Sequence, residues 1–476
     1  MNIYIPIEIK VRELDGKLLL ALMAAERGHT VILGDKSDTR KLAVKGILPP
    51  GIYHNKSITP SEQTLLMLQK LKKNKHIVTC QDEESGLLDE SYDEFARLRF
   101  SGQSIALTAR VYAWGEHDAE ALKRIYPIYR DKIQLTGSPR VDYWREEFRP
   151  YYQNIKSNKL PAKKKPFFLI ASNFGTLLNE NPFWDVVERL REAGYFEREP
   201  GRERHEYMNF AYQTQLVHEF VVMIRKLSAD FPEHTILVRP HPVESIEAWK
   251  KIIGAYSNVV VIRDGSISGW IHEAELLIHN GCTTAIEAAA SNLPRIAYRP
   301  IPSEIERSIP NEISENVFSY EELVSKIHQT IHTPGENKSQ KNEKHILSGR
   351  FGNLSGKLAA ERIVDDWEQV GAPIQQYQAT LETLLHIKKG RSARFSNPLK
   401  TLKSLITKIS SRFISPKAIN KKSDNLKTGH KFPSFTNEEL ADKMENLRHT
   451  LNRFHHVRFV RFGKRSFIIY CEKSDS

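Results

Sequence analysis

The chain has 476 residues, enough for two domains of ordinary size with extensions, and its 40% hydrophobic and 27% charged residues describe a soluble globular protein. No stretch approaches the roughly 18 consecutive apolar residues of a spanning helix. The start lacks the basic region of a signal peptide, and Cys80, Cys282 and Cys471 are too few and too scattered for a disulfide framework or a zinc site, so the cytosol is the expected compartment. The net charge of +12 is not a nucleic-acid signal, because residues 388–428 hold twelve Lys and Arg against Asp424 alone and so carry +11 of it.

Along the first part of the chain, strands alternate with helices. Ile3–Ile7 reads as a strand, Leu14–Arg27 as a helix and Thr30–Leu33 as the next strand. Further strands are expected at Gly51–His54, His76–Cys80, Val111–Trp114 and Lys132–Leu135. The last runs into Gly137-Ser138-Pro139-Arg140-Val141-Asp142. After the polar stretch Gln153–Lys165, a second set opens with Pro166–Ala171 and continues through Thr235–Val238, Asn258–Ile262, Leu276–His279 and Arg295–Tyr298. Strands interleaved with helices mean parallel sheets covered on both faces. Two such sets predict two lobes with a cleft between them.

Residues 357–388 read as long helices. From Pro398, the positions Leu399, Leu402, Leu405, Ile406, Ile409 and Phe413 recur at helical spacing with lysines on the other faces, a pattern suited to an anionic membrane surface. A solvated charged linker is the plainer alternative. Thr436–Phe454 reads as a helix, and Val457–Val460 with Ser466–Tyr470 as a hairpin.

Two motifs in the second set carry the chemistry. Arg239-Pro240-His241-Pro242 ends one expected strand, and Asn280-Gly281-Cys282-Thr283-Thr284, followed by Glu287, ends another and opens a helix. Open α/β sheets bind ligands at the carboxyl ends of their strands. A turn with Gly281, two hydroxyls and helix-terminal amides suits a phosphate, and Arg239 and His241 can add donors. An ordinary capped strand–turn–helix accounts for many such turns. Asn173, after Pro166–Ala171, occupies the equivalent place on its strand.

The first set offers Asp82-Glu83-Glu84 just past a strand. One of these carboxylates can serve as a base toward an acceptor hydroxyl or as a nucleophile; a solvated turn is the alternative. Three adjacent acids repel one another, so at least one pKa should rise. Arg12 and Glu13, with Asp15 and Lys17, follow the first strand and either line the same cleft or form a charged helix start. No Asp-x-Asp follows a strand and no His pair has ligand spacing, so neither a metal nor a cofactor is expected.

In order and spacing, the chain resembles bacterial surface carbohydrate biosynthesis proteins over roughly residues 1–345. The likeness lies in Ile5-Pro6-Ile7-Glu8-Ile9-Lys10-Val11-Arg12-Glu13-Leu14-Asp15, Val31-Ile32-Leu33-Gly34-Asp35-Lys36, Asp82-Glu83-Glu84-Ser85-Gly86 and Ala113-Trp114-Gly115-Glu116. The Arg239–Pro242 motif is similar to the His-Pro motif of capsule-type transferases that use CMP-activated acidic sugars. The resemblance implies an α/β GT-B fold of two Rossmann-like lobes with a cleft between them. The N-terminal acceptor lobe would span residues 1–152 and the nucleotide-sugar lobe residues 166–345. Closing helices at 350–390, a basic amphipathic segment at 391–428 and a helix-hairpin module at 429–476 would follow.

It implies a metal-independent glycosyltransferase that moves a Kdo- or nonulosonate-type sugar from a CMP donor to a surface polysaccharide or glycolipid. His241 would meet the donor phosphate with Thr283 and Thr284, Glu287 would hold the ribose, and Arg12, Glu13 and Arg140 would line the acceptor side. The implied partners are the CMP-sugar, a glycan or glycolipid acceptor and, through residues 390–428, the inner face of the cytoplasmic membrane, with no nucleic acid. A UDP-sugar epimerase or hydrolase of the same fold, or a non-catalytic membrane adaptor, stands as the alternative.

Overall fold

The computed structural model describes residues 1–87, 92–153, 166–179, 181–192, 194–198, 201–306, 308–332, 340–387, 432 and 434–472. Two compact units emerge, one made of residues 1–143 and 349 onward, the other of residues 144–348. The basic segment 390–428 lies outside the described residues, and among the described residues no helix is long and apolar enough to cross a membrane.

The first unit is built on an eight-stranded sheet. Its parallel strands are β1 (Asn2–Ile7), β2 (Thr30–Asp35), β3 (Ile52–Asn55), β4 (Ile77–Gln81), β5 (Arg110–Ala113) and β6 (Ile133–Leu135). They lie in the order β2-β1-β3-β4-β5-β6. The order reverses direction between β1 and β3, which makes the carboxyl ends of those two strands the switch point of this sheet. The helix Lys10–Glu26 covers β1 and β2 and is buried almost all round through Leu18–Ala25, so its sequence shows no polar stripe there.

Gly16 on that helix lets the short turn Pro139–Asp142 come close: a Cβ would sit 2.9 Å from the Arg140 amide nitrogen. The C-terminal hairpin also belongs to this sheet. The last two strands, β13 (Val457–Gly463) and β14 (Ser466–Cys471), pair antiparallel, and β14 adds antiparallel to the free edge of β2. Gly34 makes room for the crossing, since a Cβ there would meet the Ser466 side chain at 2.3 Å.

The second unit holds six parallel strands, β7 (Phe167–Ala171), β8 (Thr235–Arg239), β9 (Val259–Val261), β10 (Leu276–His279), β11 (Arg295–Tyr298) and β12 (Glu315–Val317), in the order β12-β11-β10-β7-β8-β9. This is the strand order of a dinucleotide-binding sheet, with its switch point between β7 and β10. Alternation along β7 divides two cores. Phe168 and Ile170 pack with the long helix Arg202–Asp230 on one face, while Phe167, Leu169 and Ala171 join Trp270 and Ala285 on the other. A strand apolar on both faces cannot alternate in hydropathy, which is why these strands read as unbroken apolar runs. The expected α/β class is thus realised as two Rossmann-like sheets.

Candidate functional site

Register aligns the second unit's strand ends. Ala171, the last residue of β7, pairs with Arg239 of β8 on one side and His279 of β10 on the other. The loops carrying Asn173, His241 and Asn280–Thr284 therefore leave the sheet side by side at its switch point. The Asn280 side-chain amide donates to the Asn173 carbonyl at 3.4 Å, while its buried Oδ1 accepts no hydrogen bond from the described residues.

Gly281, at φ +76°, turns the chain as a side chain would resist, and its N–H donates to His279 Nδ1 at 3.1 Å. The other ring nitrogen of His279 lies 2.9 Å from Ser314 Oγ, whose own hydroxyl donates to the Pro310 carbonyl. His279 therefore carries its proton on Nε2, and burial holds it neutral, down to about 3. The helix that follows is Thr284–Ala290, with Thr283 at its N-cap position and the Cys282 thiol donating to Thr284 Oγ1.

His241 stands at the mouth of the neighbouring loop, half-buried, with the Val243 N–H 3.4 Å from its Nδ1. Arg239 turns to its own side of the sheet. Its two terminal nitrogens donate to the carbonyls of Asp264 and Gly265 at 2.8 and 2.6 Å. Burial lowers its pKa to about 10 against the pull of Glu287 and Asp264. Glu287 is buried and accepts from Ser268 Oγ. Arg239 and Glu287 are thus both engaged with the segment Asp264–Ser268 that follows β9, whereas His241, Asn280, Thr283 and Thr284 stay half-buried at the strand ends.

Sequence reasoning passed over two residues that build this crevice. Glu244 is completely buried beneath His241, and the Arg263 guanidinium donates to the carbonyls of Pro242 and Glu244 at 3.0 and 2.8 Å. A carboxylate two residues past a Pro-rich loop looks like ordinary loop polarity. The available signal was the apolar and aromatic setting of Val243 and Trp249 on either side of Glu244.

In the first unit, the acids and bases collect around the β1–β3 switch point and the end of β4. Lys17 is buried and donates to Glu13 at 2.7 Å, to the Pro6 carbonyl at 2.9 Å and approaches Glu83 at 3.2 Å. Lys56 reaches both Glu13 and Glu8 at 3.2 Å, and Lys36 reaches Glu8 at 2.8 Å. Burial alone would raise the Glu13 carboxyl, but Lys17, Lys56 and the Glu8 amide outweigh it and hold it well down.

The three adjacent acids fare differently from one another. Asp82 is 1% exposed, held by Arg99 at 2.8 Å, and accepts the Glu84 N–H. Glu84 pairs with Arg12 at the rim. Glu83 is buried against Lys17, with Arg140 also acting on its charge, and burial raises its pKa despite both cations. Asp82 is raised by burial as well, against Arg99.

The Gly137–Asp142 stretch is built into the frame of this unit. Asp142 accepts from the amides of Ala359 and Ala360, capping the helix Ala359–Val370, and from the Asn353 side chain at 2.6 Å. The charged face of the first helix is fastened to the C-terminal helix Asn437–Leu451 by Lys10 to Glu439 at 2.5 Å and Lys443 to Asp15 at 2.6 Å.

The chain is thus an α/β protein of two units, each built on a Rossmann-like sheet. Among solved structures, the chain is similar to UDP-GlcNAc 2-epimerase from Methanocaldococcus jannaschii, at 15% identity and a TM-score of 0.47, covering 78% of this chain and 100% of that one. The UDP-GlcNAc-bound 2-epimerase from Neisseria meningitidis matches at 12% identity and 0.44 over 78% and 100%. The wall teichoic acid polymerase TagF matches at 13% and 0.38 over 67% and 71%. No family model and no curated protein matches the chain.

Proposed function

We propose that the chain is a glycosyltransferase that takes an acidic sugar of the Kdo or nonulosonate type from a CMP donor and passes it to a bacterial surface polysaccharide or glycolipid. The observation that carries this is the register of β10, β7 and β8, which lines up Asn280–Thr284, Asn173 and His241 at the switch point of a dinucleotide-type sheet. His241 and the Gly281 turn meet the donor phosphate, with the Thr283 and Thr284 hydroxyls beside them. Asn280 Oδ1 accepts from a ligand donor, while Glu287, for which the resemblance implies a ribose contact, is buried against Ser268 and acts as a support of the turn.

In the first unit, Glu83 is the carboxylate best suited to proton transfer or nucleophilic attack. Glu84 pairs with Arg12 at the rim, and of the two acids that burial raises, Asp82 is held by Arg99 at 2.8 Å while Glu83 stands further, 3.2 Å, from Lys17. Arg12, Glu13 and Arg140 line the acceptor side around it. Residues 390–428 attach the protein to the anionic inner face of the cytoplasmic membrane.

Thermal unfolding of the full chain with CMP, CDP and UDP tests the donor. A ligand that binds only the folded state raises the midpoint, by about 2.7 kcal/mol of apparent stability at a hundredfold excess over Kd. CMP is expected to stabilise most. Stabilisation by UDP alone would replace the transferase with a UDP-sugar epimerase or hydrolase, and no shift with any nucleotide would leave a non-catalytic adaptor.

A further inference from the structure

The two loops that flank the crevice on the β7 and β8 sides are fastened to each other through one side chain. Glu244 is 0% exposed. Its Oε2 accepts from Ser172 Oγ at 2.6 Å and from Trp249 Nε1 at 2.7 Å, and its Oε1 accepts from the Phe174 N–H at 2.6 Å. Ser172 and Phe174 bracket Asn173 on the first loop. On the second loop, the Glu244 N–H donates to the His241 carbonyl at 2.9 Å, closing a turn around the histidine. The chain on either side continues the joint: Ser245 N–H donates to the Leu178 carbonyl at 2.8 Å, and Asn179 bridges Glu244 antiparallel.

Close packing leaves the loops little freedom to slide. A Cβ on Gly175 would stand 2.7 Å from Val243 Cγ2, so the first loop touches the second by backbone. The chemistry of the joint also selects a carboxylate. Three donors converge on two oxygens, and a carboxylate offers acceptors only. An amide in the same place would turn an NH₂ toward one of those donors and leave buried polar atoms unpaired.

We propose that Glu244 is a positioning residue of the donor site, whose carboxylate sets the spacing between Asn173 and His241 so that the nucleotide phosphate meets a preformed pair of walls. This rests on the crevice being the nucleotide site. Pre-set donors avoid the ordering cost that flexible loops would add on binding. The loss of Glu244 therefore appears in affinity for the nucleotide, not only in stability.

The test is calorimetric titration of CMP, and separately of UDP, into the full-length protein and three variants, Glu244→Gln, Ser172→Ala and their double. Glu244→Gln is expected to weaken binding of the preferred nucleotide at least tenfold, and Ser172→Ala about threefold. The double should be no weaker than Glu244→Gln alone, because Ser172 acts through the carboxylate. A residue that only supports the fold would lower the unfolding temperature of the free protein and leave Kd unchanged in the folded fraction.

Unchanged Kd in folded Glu244→Gln overturns the inference. If Glu244→Gln does not fold, Ser172→Ala and Trp249→Phe decide, and wild-type affinity in both overturns it equally. A wild-type chain that binds neither CMP nor UDP removes the site itself and the inference with it, whereas wild-type binding with unaffected variants removes the inference alone.

Discussion

Replacing Lys17 with Met should be among the most damaging single changes in the first unit. The Lys17 side chain is 5% exposed, Glu13 is 0% and Glu83 is 11%, so its removal strands two carboxylates away from water. Glu13 keeps Lys56 at 3.2 Å and the amides of Glu8 and Ile9 at 3.0 and 3.1 Å, whereas Glu83 loses the ammonium beside it. Breaking a buried pair by removing one partner costs about 3–5 kcal/mol. The loss should depend on pH with a fixed sign. Burial already raises the Glu83 carboxyl, Lys17 pulls it back, and without Lys17 it rises further.

A raised carboxyl means that the folded state holds a proton the unfolded chain releases. Stability therefore falls as pH climbs from the ordinary carboxylate range through the raised folded value. Urea unfolding of Lys17→Met at pH 5 and pH 8 should show the larger deficit at pH 8. Adding Glu83→Gln should return about 1 kcal/mol or more by removing the stranded charge. A deficit below about 1 kcal/mol at pH 8, or one equal at both pH values and unrelieved by Glu83→Gln, would refute the idea that Lys17 neutralises this cluster.

Three further outcomes follow from other parts of the structure. His241→Ala should lower transfer by roughly 10²–10³-fold, about 2.7–4 kcal/mol, with the fold intact; near-normal turnover at saturating donor would take the histidine off the phosphate. Gly16→Ala should lower the unfolding temperature although alanine favours helix by about 1 kcal/mol, because its Cβ meets backbone at 2.9 and 3.0 Å; a gain in stability would mean that the Pro139–Asp142 turn yields freely. Deleting residues 390–428 should abolish sedimentation with anionic vesicles at low salt, each Lys or Arg contributing about 1 kcal/mol, while leaving transfer to a soluble acceptor; retained binding would make the segment a linker.

Much of the fold was legible because buried parallel strands are apolar on both faces and stand out as uninterrupted runs, as in Thr235–Val238 and Leu276–His279. β12 escaped because Glu315-Asn316-Val317 at a sheet edge has no such run. The C-terminal hairpin was visible from its own alternation, but its place on β2 was not, since the pairing of Phe467 with Leu33 joins residues more than 400 apart in sequence. The first helix begins at Lys10 and not at Leu14, because Lys10, Glu13 and Lys17 are buried by charge pairing that hydropathy does not register. In the second unit, motif and strand end coincided, so Asn173, His241 and Gly281 could be placed from sequence. Their supports could not: Glu244 and Arg263 act through hydrogen bonds between loops that only the sheet brings together.

Hydrogen exchange of the full chain with and without CMP tests the nucleotide site most directly, because it reports where the ligand acts. Protection is expected to concentrate at residues 171–175, 239–244 and 279–286, the three loops aligned at the switch point, and to vanish in His241→Ala at the same CMP concentration. Protection confined to other segments, or an unchanged pattern at saturating CMP and UDP alike, would contradict the assignment of a nucleotide to these strand ends.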